Sequence, residues 1–125
     1  MEALLKALGA SKLESHLLVL FIPSTDKDHH DIDQEVWVAR ALEILGSRLG
    51  GATAYPRGLG VWRDDKRGGR LLYDKPVVIQ CYTHLEAIES AAPDLRAFLV
   101  DMATNTNQAA VGFVIDGSYL EIQIA

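Results

Sequence analysis

The strongest constraint on the fold is the uninterrupted apolar run HLLVLFIP, residues 16–23. A strand with one wet face would alternate apolar and polar residues, so an unbroken run predicts a strand that is covered on both faces or central in a sheet. Pro23 ends the run because proline cannot donate to a sheet ladder. A second segment, residues 77–82, follows Pro76 and is apolar except for Gln80, so it also is expected to be deeply buried. The chain is therefore expected to build a sheet around these two strands.

Two amphipathic helices are predicted between and after these strands. The first carries apolar residues at spacings of three and four, and Gly50 and Gly51 then close it. These apolar positions are Trp37, Val38, Ala41, Leu42, Ile44, Leu45 and Leu49. Asp31 and Gln34 resemble a capping box at its start, with Asp33 as a competing N-cap. The second helix lies within residues 84–108, with Pro93 expected near its start.

The remaining β-rich segments read as hairpins. ATAYPRGLGVWR and RLLYDKPVVIQCYTH are predicted to pair as two strands across the turn DDKRGG, with an edge or bulge at Pro56 and Pro76. At the other end of the chain, Asp116 and Gly117 form a strong tight-turn pair between two further strands, of which the last reaches residue 125.

The order of these elements carries a resemblance. With residues 1–15 set aside as an N-terminal helix or arm, and the last strand as an addition, residues 16–125 read β-α-β-β-α-β. This order resembles small bacterial ferredoxin-like domains, including those that pair their sheets as dimeric α+β barrels. The resemblance implies an α+β sandwich in which two helices cover one face of an antiparallel sheet. Residues 1–125 are expected to form one domain.

Composition excludes several classes. A formal charge of −5 makes nucleic acid an unlikely partner, because such binding draws on cations that replace counterions. The chain shows neither a signal peptide nor an apolar run long enough to span a bilayer, so no membrane association is expected. A single cysteine, Cys81, suits a reducing compartment and predicts a cytoplasmic protein.

The helix-free face of the sheet needs a cover. Strand residues 77–82 and 110–115 carry apolar side chains on both faces. Because large exposed apolar patches are uncommon on monomers, this pattern predicts a homodimer through that face.

The segment between residues 53 and 70 is the candidate binding site. It combines aromatic rings and guanidinium groups suited to a carboxylate, a phosphate or a planar ring. Between residues 57 and 70 there are five basic and two acidic side chains, a local charge of +3 that favours a small anionic ligand or a protein partner, although a solvated hairpin tip also carries such charges. The candidate ligand-binding residues are Thr53, Tyr55, Arg57, Trp62, Arg63, Asn107 and Gln108.

A metal site is the weaker interpretation of DKDHHDID. Asp28, His29 and His30 are the candidate ligands, but the spacing matches neither HExxH nor a calcium loop. A solvated loop that caps a helix explains the segment better, and no cofactor is predicted.

Two functions remain open. The absence of a recognisable catalytic set favours a small binding or interaction module that engages its ligand or partner through the sheet and the 53–70 hairpin. The alternative is a small dimeric-barrel enzyme of isomerase or oxygenase type, with a pocket between sheet and helices that uses His84, Tyr82 or Arg57.

Overall fold

The computed structural model describes residues 1–13 and 16–124, so the end of the predicted arm (residues 14–15) and residue 125 of the last strand lie outside the described residues. The helices are α1 (Glu2–Leu8), α2 (Gln34–Leu49) and α3 (Leu85–Asn105). The strands are β1 (His16–Ile22), β2 (Thr53–Ala54), β3 (Gly60–Asp64), β4 (Arg70–Asp74), β5 (Val77–Thr83), β6 (Ala110–Ile115) and β7 (Ser118–Gln123).

The main sheet has five strands in the order β2-β5-β1-β6-β7, and every neighbouring pair is antiparallel. The two apolar runs form its interior: Leu20 of β1 lies opposite Ile79 of β5 and opposite Phe113 of β6. The fold is thus a mixed α+β arrangement of an antiparallel sheet with three helices.

The core lies between one face of this sheet and the helices α2 and α3. Alternate residues of β1 and β5, such as Leu20 and Ile79, are almost completely buried there. The two helices meet at Trp37 and Phe98, whose ring centroids lie 6.3 Å apart. The Arg40 guanidinium lies 4.5 Å from the centre of the Trp37 ring and covers its outer side.

The 53–83 region differs from the predicted single hairpin. Each predicted strand is divided at its proline, so β2 and β5 stay in the main sheet while β3 and β4 form a separate two-stranded sheet, the hairpin arm (residues 60–74). Pro56 and Pro76 have no N–H to continue a ladder. The Gly58 N–H donates instead to the Pro76 carbonyl at 2.9 Å and holds the linker between β2 and β3 against the junction of β4 with β5.

The starts of α2 and α3 also differ from the sequence-based prediction. Gln34 is not the distal member of a capping box with Asp31, because α2 begins at Gln34 after Asp33, and the Gln34 side chain points inward. Pro93 is the ninth residue of α3 rather than near its start. The turns before Pro93 form because Ile88 and Ala91 are buried against the sheet, which offsets the hydrogen bond that proline removes.

The opposite face of the main sheet, which we call the open face, is covered by none of the helices in residues 1–13 and 16–124. By strand alternation it carries Val78 and Tyr82 of β5, Phe21 of β1 and Tyr119 of β7, and Glu121 is its one charged residue among the described strands. Tyr82 is 61% exposed and Tyr119 is 53% exposed. No helix in the described part of the chain is long and apolar enough to cross a membrane.

Candidate functional site

A cleft of about 410 Å³ lies where the hairpin arm leaves the main sheet, and we call it the hairpin-base cleft. Four chain segments meet there: the end of β1, the start of α2, the linker between β2 and β3, and the junction of β4 with β5. The lining residues are Ser24, Thr25, Asp31, Ile32, Arg57, Leu59, Tyr73, Asp74 and Lys75.

The Asp74 carboxylate fixes the floor of the cleft. One of its oxygens, Oδ1, accepts the Ser24 N–H at 2.9 Å and the Lys75 N–H at 2.8 Å, and it also accepts the Ser24 hydroxyl. The Ser24 hydroxyl oxygen in turn accepts from the Lys75 N–H at 2.9 Å. The segment after β1 is thereby tied to the segment before β5. The second oxygen of Asp74 stays available to a ligand, since no described residue donates to it.

Two glutamine amides donate to backbone carbonyls next to this floor. The Gln34 side chain is buried, and its Nε2 donates to the Ile22 and Lys75 carbonyls, each at 3.0 Å. The Gln108 Nε2 donates to the Thr25 carbonyl at 2.9 Å. Both amides satisfy backbone carbonyls next to the cleft, so they position its walls without entering it.

The walls carry charges of both signs that have no partner within residues 1–13 and 16–124. Arg57 and Lys75 are exposed cations, and Asp31 is an exposed anion on the α2 side. The Tyr73 ring, 56% exposed, supplies an apolar surface at the rim together with Leu59. Because Asp31 and Asp74 face the same space as Arg57 and Lys75, the cleft presents acceptors and donors for a ligand that carries both charges.

Only one of the candidate ligand-binding residues lines this cleft, namely Arg57. Thr53 pairs with Gln80 at the edge of the main sheet, on the open face. The Tyr55 hydroxyl donates to Gln80 Oε1 at 3.0 Å, and its N–H donates to the Val78 carbonyl at 2.9 Å. Thr53 and Tyr55 therefore belong to the open face, next to the cleft but outside it.

Trp62 and Arg63 lie further out on the hairpin arm. Trp62 is 48% exposed and pairs with Leu72 across the arm. The Arg63 Nε donates to Asp65 Oδ1 at 2.5 Å, an ion pair between two exposed side chains. The structure thus separates the predicted cluster into three places: the open face, the cleft and the arm.

Asn107 connects two loops with the arm. Its backbone is left-handed (φ 53°), and its Nδ2 donates to Asp28 Oδ2 at 3.1 Å and to Asp26 Oδ2 at 3.4 Å. Arg67 from the arm reaches the other Asp28 oxygen at 3.3 Å. The hydrogen bond from Asn107 and then that from Arg67 lower the pKa of Asp28. This network holds the arm against the loop between β1 and α2.

The histidine-rich loop is organised by Asp26. Its carboxylate accepts the N–H groups of Asp28 at 2.8 Å and His30 at 2.9 Å, and the His30 bond is the main cause that lowers its pKa to about 2. His29 adopts a left-handed conformation with φ 65°. Among the described residues no group of three His, Cys, Asp or Glu side chains could hold a metal ion.

The side chains named for the alternative enzyme do not converge. Tyr82 lies on the open face and His84 is the N-cap residue of α3, and neither lines the cleft that contains Arg57. Another histidine, His16, contacts Asp116 Oδ2 through Nδ1 at 2.6 Å, and this contact is the main cause that lowers the pKa of Asp116.

Sequence reasoning missed Ser24, Tyr73, Asp74 and Lys75. A signal for two of them was present: Ser24 directly follows Pro23, and Lys75 directly precedes Pro76. Two strands that end or begin at a proline, and that pair with each other, bring the neighbouring polar residues to one edge of the sheet.

Comparison with known proteins identifies the fold. The sequence matches no protein-family model and no curated protein. Among solved structures, a phage SAM lyase in complex with S-methyl-5'-thioadenosine aligns with a TM-score of 0.64 and 19% identity, over 90% of this chain and 96% of that chain. The phage SAM lyase in its apo state gives 0.61 and 20%, over 90% and 94%. The divalent cation tolerance protein CutA1 from Thermus thermophilus gives 0.53 and 12%, over 88% and 84%.

At these identities the similarity establishes the fold alone. The neighbours are small α+β domains, which agrees with the resemblance drawn from element order.

Proposed function

We propose that this protein is a self-associating binding domain whose small-molecule ligand occupies the hairpin-base cleft. The observation that carries the proposal is that two cations without an ion-pair partner among the described residues, Arg57 and Lys75, line the same cleft as the carboxylates of Asp31 and Asp74. A guanidinium binds a carboxylate in bidentate geometry, and carboxylates accept from an ammonium group. An α-amino-acid group satisfies both requirements at once. This changes the expected ligand from a simple anion to a zwitterion.

The ligand class we favour is an adenosyl sulfur compound that carries an amino-acid group. The phage SAM lyase with the same fold is described in complex with S-methyl-5'-thioadenosine, which makes SAM and this thioether the first ligands to test. A cleft of about 410 Å³ lies within the usual range of small-molecule sites, and Tyr73 offers a ring on which a planar base can stack.

Titration calorimetry with the two compounds tests this proposal. SAM carries the amino-acid group and S-methyl-5'-thioadenosine lacks it. Since charge-assisted hydrogen bonds contribute about 1.5–3 kcal/mol each, SAM should bind at least roughly tenfold more tightly. Equal affinity for the two compounds, or no binding of either, would contradict the zwitterion proposal.

A second candidate is an enzyme that acts on the same ligand in the same cleft. The name of the phage neighbour favours it over the isomerase or oxygenase alternative. Incubation with SAM, followed by chromatography and mass spectrometry, should reveal S-methyl-5'-thioadenosine and an equal amount of the four-carbon amino-acid fragment as its lactone if this candidate is correct. The sulfonium C–S bond breaks with its electron pair left on sulfur, and the carboxylate of the fragment bonds to the released carbon. Asp74→Asn should reduce the yield of both products. Tight SAM binding without turnover would favour the binding domain.

We further propose that two copies associate through the open face as a homodimer. That face combines exposed tyrosines, such as Tyr82, with Glu121 as the one charged residue of its described strands, so a second copy meets little like-charge repulsion. Light scattering at tens of micromolar should report self-association for the wild type and a smaller average mass for Tyr82→Arg, which removes the contact through this face. Tyr73→Arg is the matched control, since Tyr73 is similarly exposed but lies on the hairpin arm. A monomeric wild type would refute the dimer.

We also propose a more detailed description of the fold. The strand order β2-β5-β1-β6, with α2 and α3 as the connections, supports a ferredoxin-like core extended by β7, within one domain that includes the N-terminal arm. The single cysteine, Cys81, is buried in the core, which suits a protein that works in the reducing cytoplasm.

A further inference from the structure

A second concave surface lies on the helix-covered side of the sheet. It is a groove of about 230 Å³ between α3 and the strands β6 and β7. Its lining is almost entirely apolar, with Ile88 and Leu95 from the helix and Phe113 and Leu120 from the strands, and Arg96 is its one charged residue. Leu120 is 40% exposed. This groove shares no lining residue with the hairpin-base cleft.

The N-terminal helix α1 is amphipathic but buries no residue. Leu4, Leu5 and Leu8 lie on one edge, and Leu4 is 56% and Leu8 68% exposed. A helix of seven residues is too short to be stable in water without tertiary contacts. Its apolar edge therefore needs a surface to pack against.

The charges around the groove match those of the helix. Glu2 and Lys6 are one turn apart on α1. On α3, Glu89 and Arg96 flank Ala92 along the edge that faces the groove, since positions 89, 92 and 96 share one side of a helix. Glu2 borders the leucine edge beside Leu5, so an antiparallel arrangement of α1 against α3 brings Glu2 toward Arg96. None of these four charges has an ion-pair partner in the part of the chain that the structure describes.

We propose that α1 of a second copy occupies this groove, in a reciprocal exchange of N-terminal arms. The helix of the same chain leaves its leucine edge in solvent, and the irregular residues 10–13 follow its left-handed Gly9 cap. In a two-fold symmetric dimer the contact occurs twice, because each copy places its helix in the groove of the other. The apolar area removed from water is therefore twice that of one helix in one groove. The contact uses the helix side of the sheet, so it is independent of both the open face and the ligand cleft.

Disulfide trapping between two different variants tests this proposal. One chain carries Leu5→Cys and the other carries Ala92→Cys, an exposed position in the groove. The two are mixed in reduced form and then oxidised. The matched control replaces Ala92→Cys with Ala97→Cys, an exposed alanine on the same helix that does not line the groove. The native Cys81 is 1% exposed, so the wild type should form no cross-link.

A covalent heterodimer from the Ala92→Cys mixture, in clear excess over the Ala97→Cys mixture, is the expected result. Equal yields from the two mixtures, or no cross-link, would overturn the proposal. If the double variant Leu5→Cys/Ala92→Cys closes a disulfide within one chain while the mixture forms no covalent dimer, the helix occupies its own groove and the exchange is refuted.

A charge swap gives an independent readout. Glu2→Lys and Arg96→Glu should each weaken self-association about two- to fivefold, because exposed ion pairs contribute little. An equimolar mixture of the two variants should recover the wild-type affinity, since in the mixed dimer each introduced charge meets its opposite. Mixing cannot restore a contact within one chain, so a mixture as weak as its components would count against exchange.

Discussion

The two hydrogen bonds of the Gln34 side chain stabilise the fold and also position the walls of the hairpin-base cleft. The substitution Gln34→Leu tests both roles. Its side chain is 3% exposed and donates to the carbonyls of Ile22 and Lys75, each at 3.0 Å. Leucine has a similar volume but no donor, so the substitution removes two hydrogen bonds and leaves the buried Ile22 carbonyl and the part-buried Lys75 carbonyl each with one partner fewer. At about 1–3 kcal/mol for each unsatisfied group, less the gain from burying an apolar side chain, the expected loss of unfolding free energy is about 2–4 kcal/mol.

Urea denaturation followed by circular dichroism measures this loss. Glu35→Ala is the control, because Glu35 is the exposed neighbour of Gln34 on the same turn and should change stability by no more than about 0.5 kcal/mol. Gln34→Leu should also weaken ligand binding under conditions where the variant is folded, since the Lys75 backbone loses its anchor. If Gln34→Leu unfolds within 0.5 kcal/mol of the wild type, roughly the effect of a surface substitution, the two hydrogen bonds do not hold the cleft together.

Three further predictions concern the loops and the open face. The His30 N–H and other donors lower the pKa of Asp26 from 3.8 to about 2. The ionised Asp26 therefore stabilises the folded protein above pH 3.8, and this stabilisation is lost as the pH falls toward 2. Asp26→Asn should flatten the acid unfolding curve in that window. Gly112→Ala should cost about 1–3 kcal/mol in urea titrations, because the new methyl group meets the Tyr119 hydroxyl, and Tyr119→Ala should remove most of that cost. Asn107→Ala should destabilise the protein more than Asn107→Gly in thermal melts, because only alanine is strained at φ 53°.

The main elements could be predicted because their signals are local. The apolar runs of β1 and β5 and the Asp116–Gly117 turn each specify an element through a few neighbouring residues. The division of the 53–83 region into β2, β3, β4 and β5 was not predicted. The two prolines were recognised as ladder breakers, but whether a strand bulges or leaves the sheet depends on which carbonyls and N–H groups meet across it, as Gly58 and Pro76 do.

The cleft could be predicted only in part, because its residues come from four distant segments. Arg57 was found as a cation next to aromatic residues, whereas Asp74 looked like an ordinary residue at a strand end. Its role depends on three donors from Ser24 and Lys75, and the Ser24 donors come from 50 residues away. Gln34 fitted a capping pattern, and its inward orientation became visible only in the packed structure. Long-range polar contacts leave no periodic trace in a sequence.

The most direct test of the central claim compares two arginines in a SAM titration. Arg57 lines the hairpin-base cleft without a partner among the described residues, whereas Arg63 is equally charged, exposed on the arm and paired with Asp65. Arg57→Ala should weaken SAM binding roughly ten- to a hundredfold, as expected for the loss of a charge-assisted bond to the ligand carboxylate, and Arg63→Ala should leave the affinity unchanged. Equal affinities for wild type and Arg57→Ala, or a loss confined to Arg63→Ala, would contradict the assignment of the ligand to this cleft.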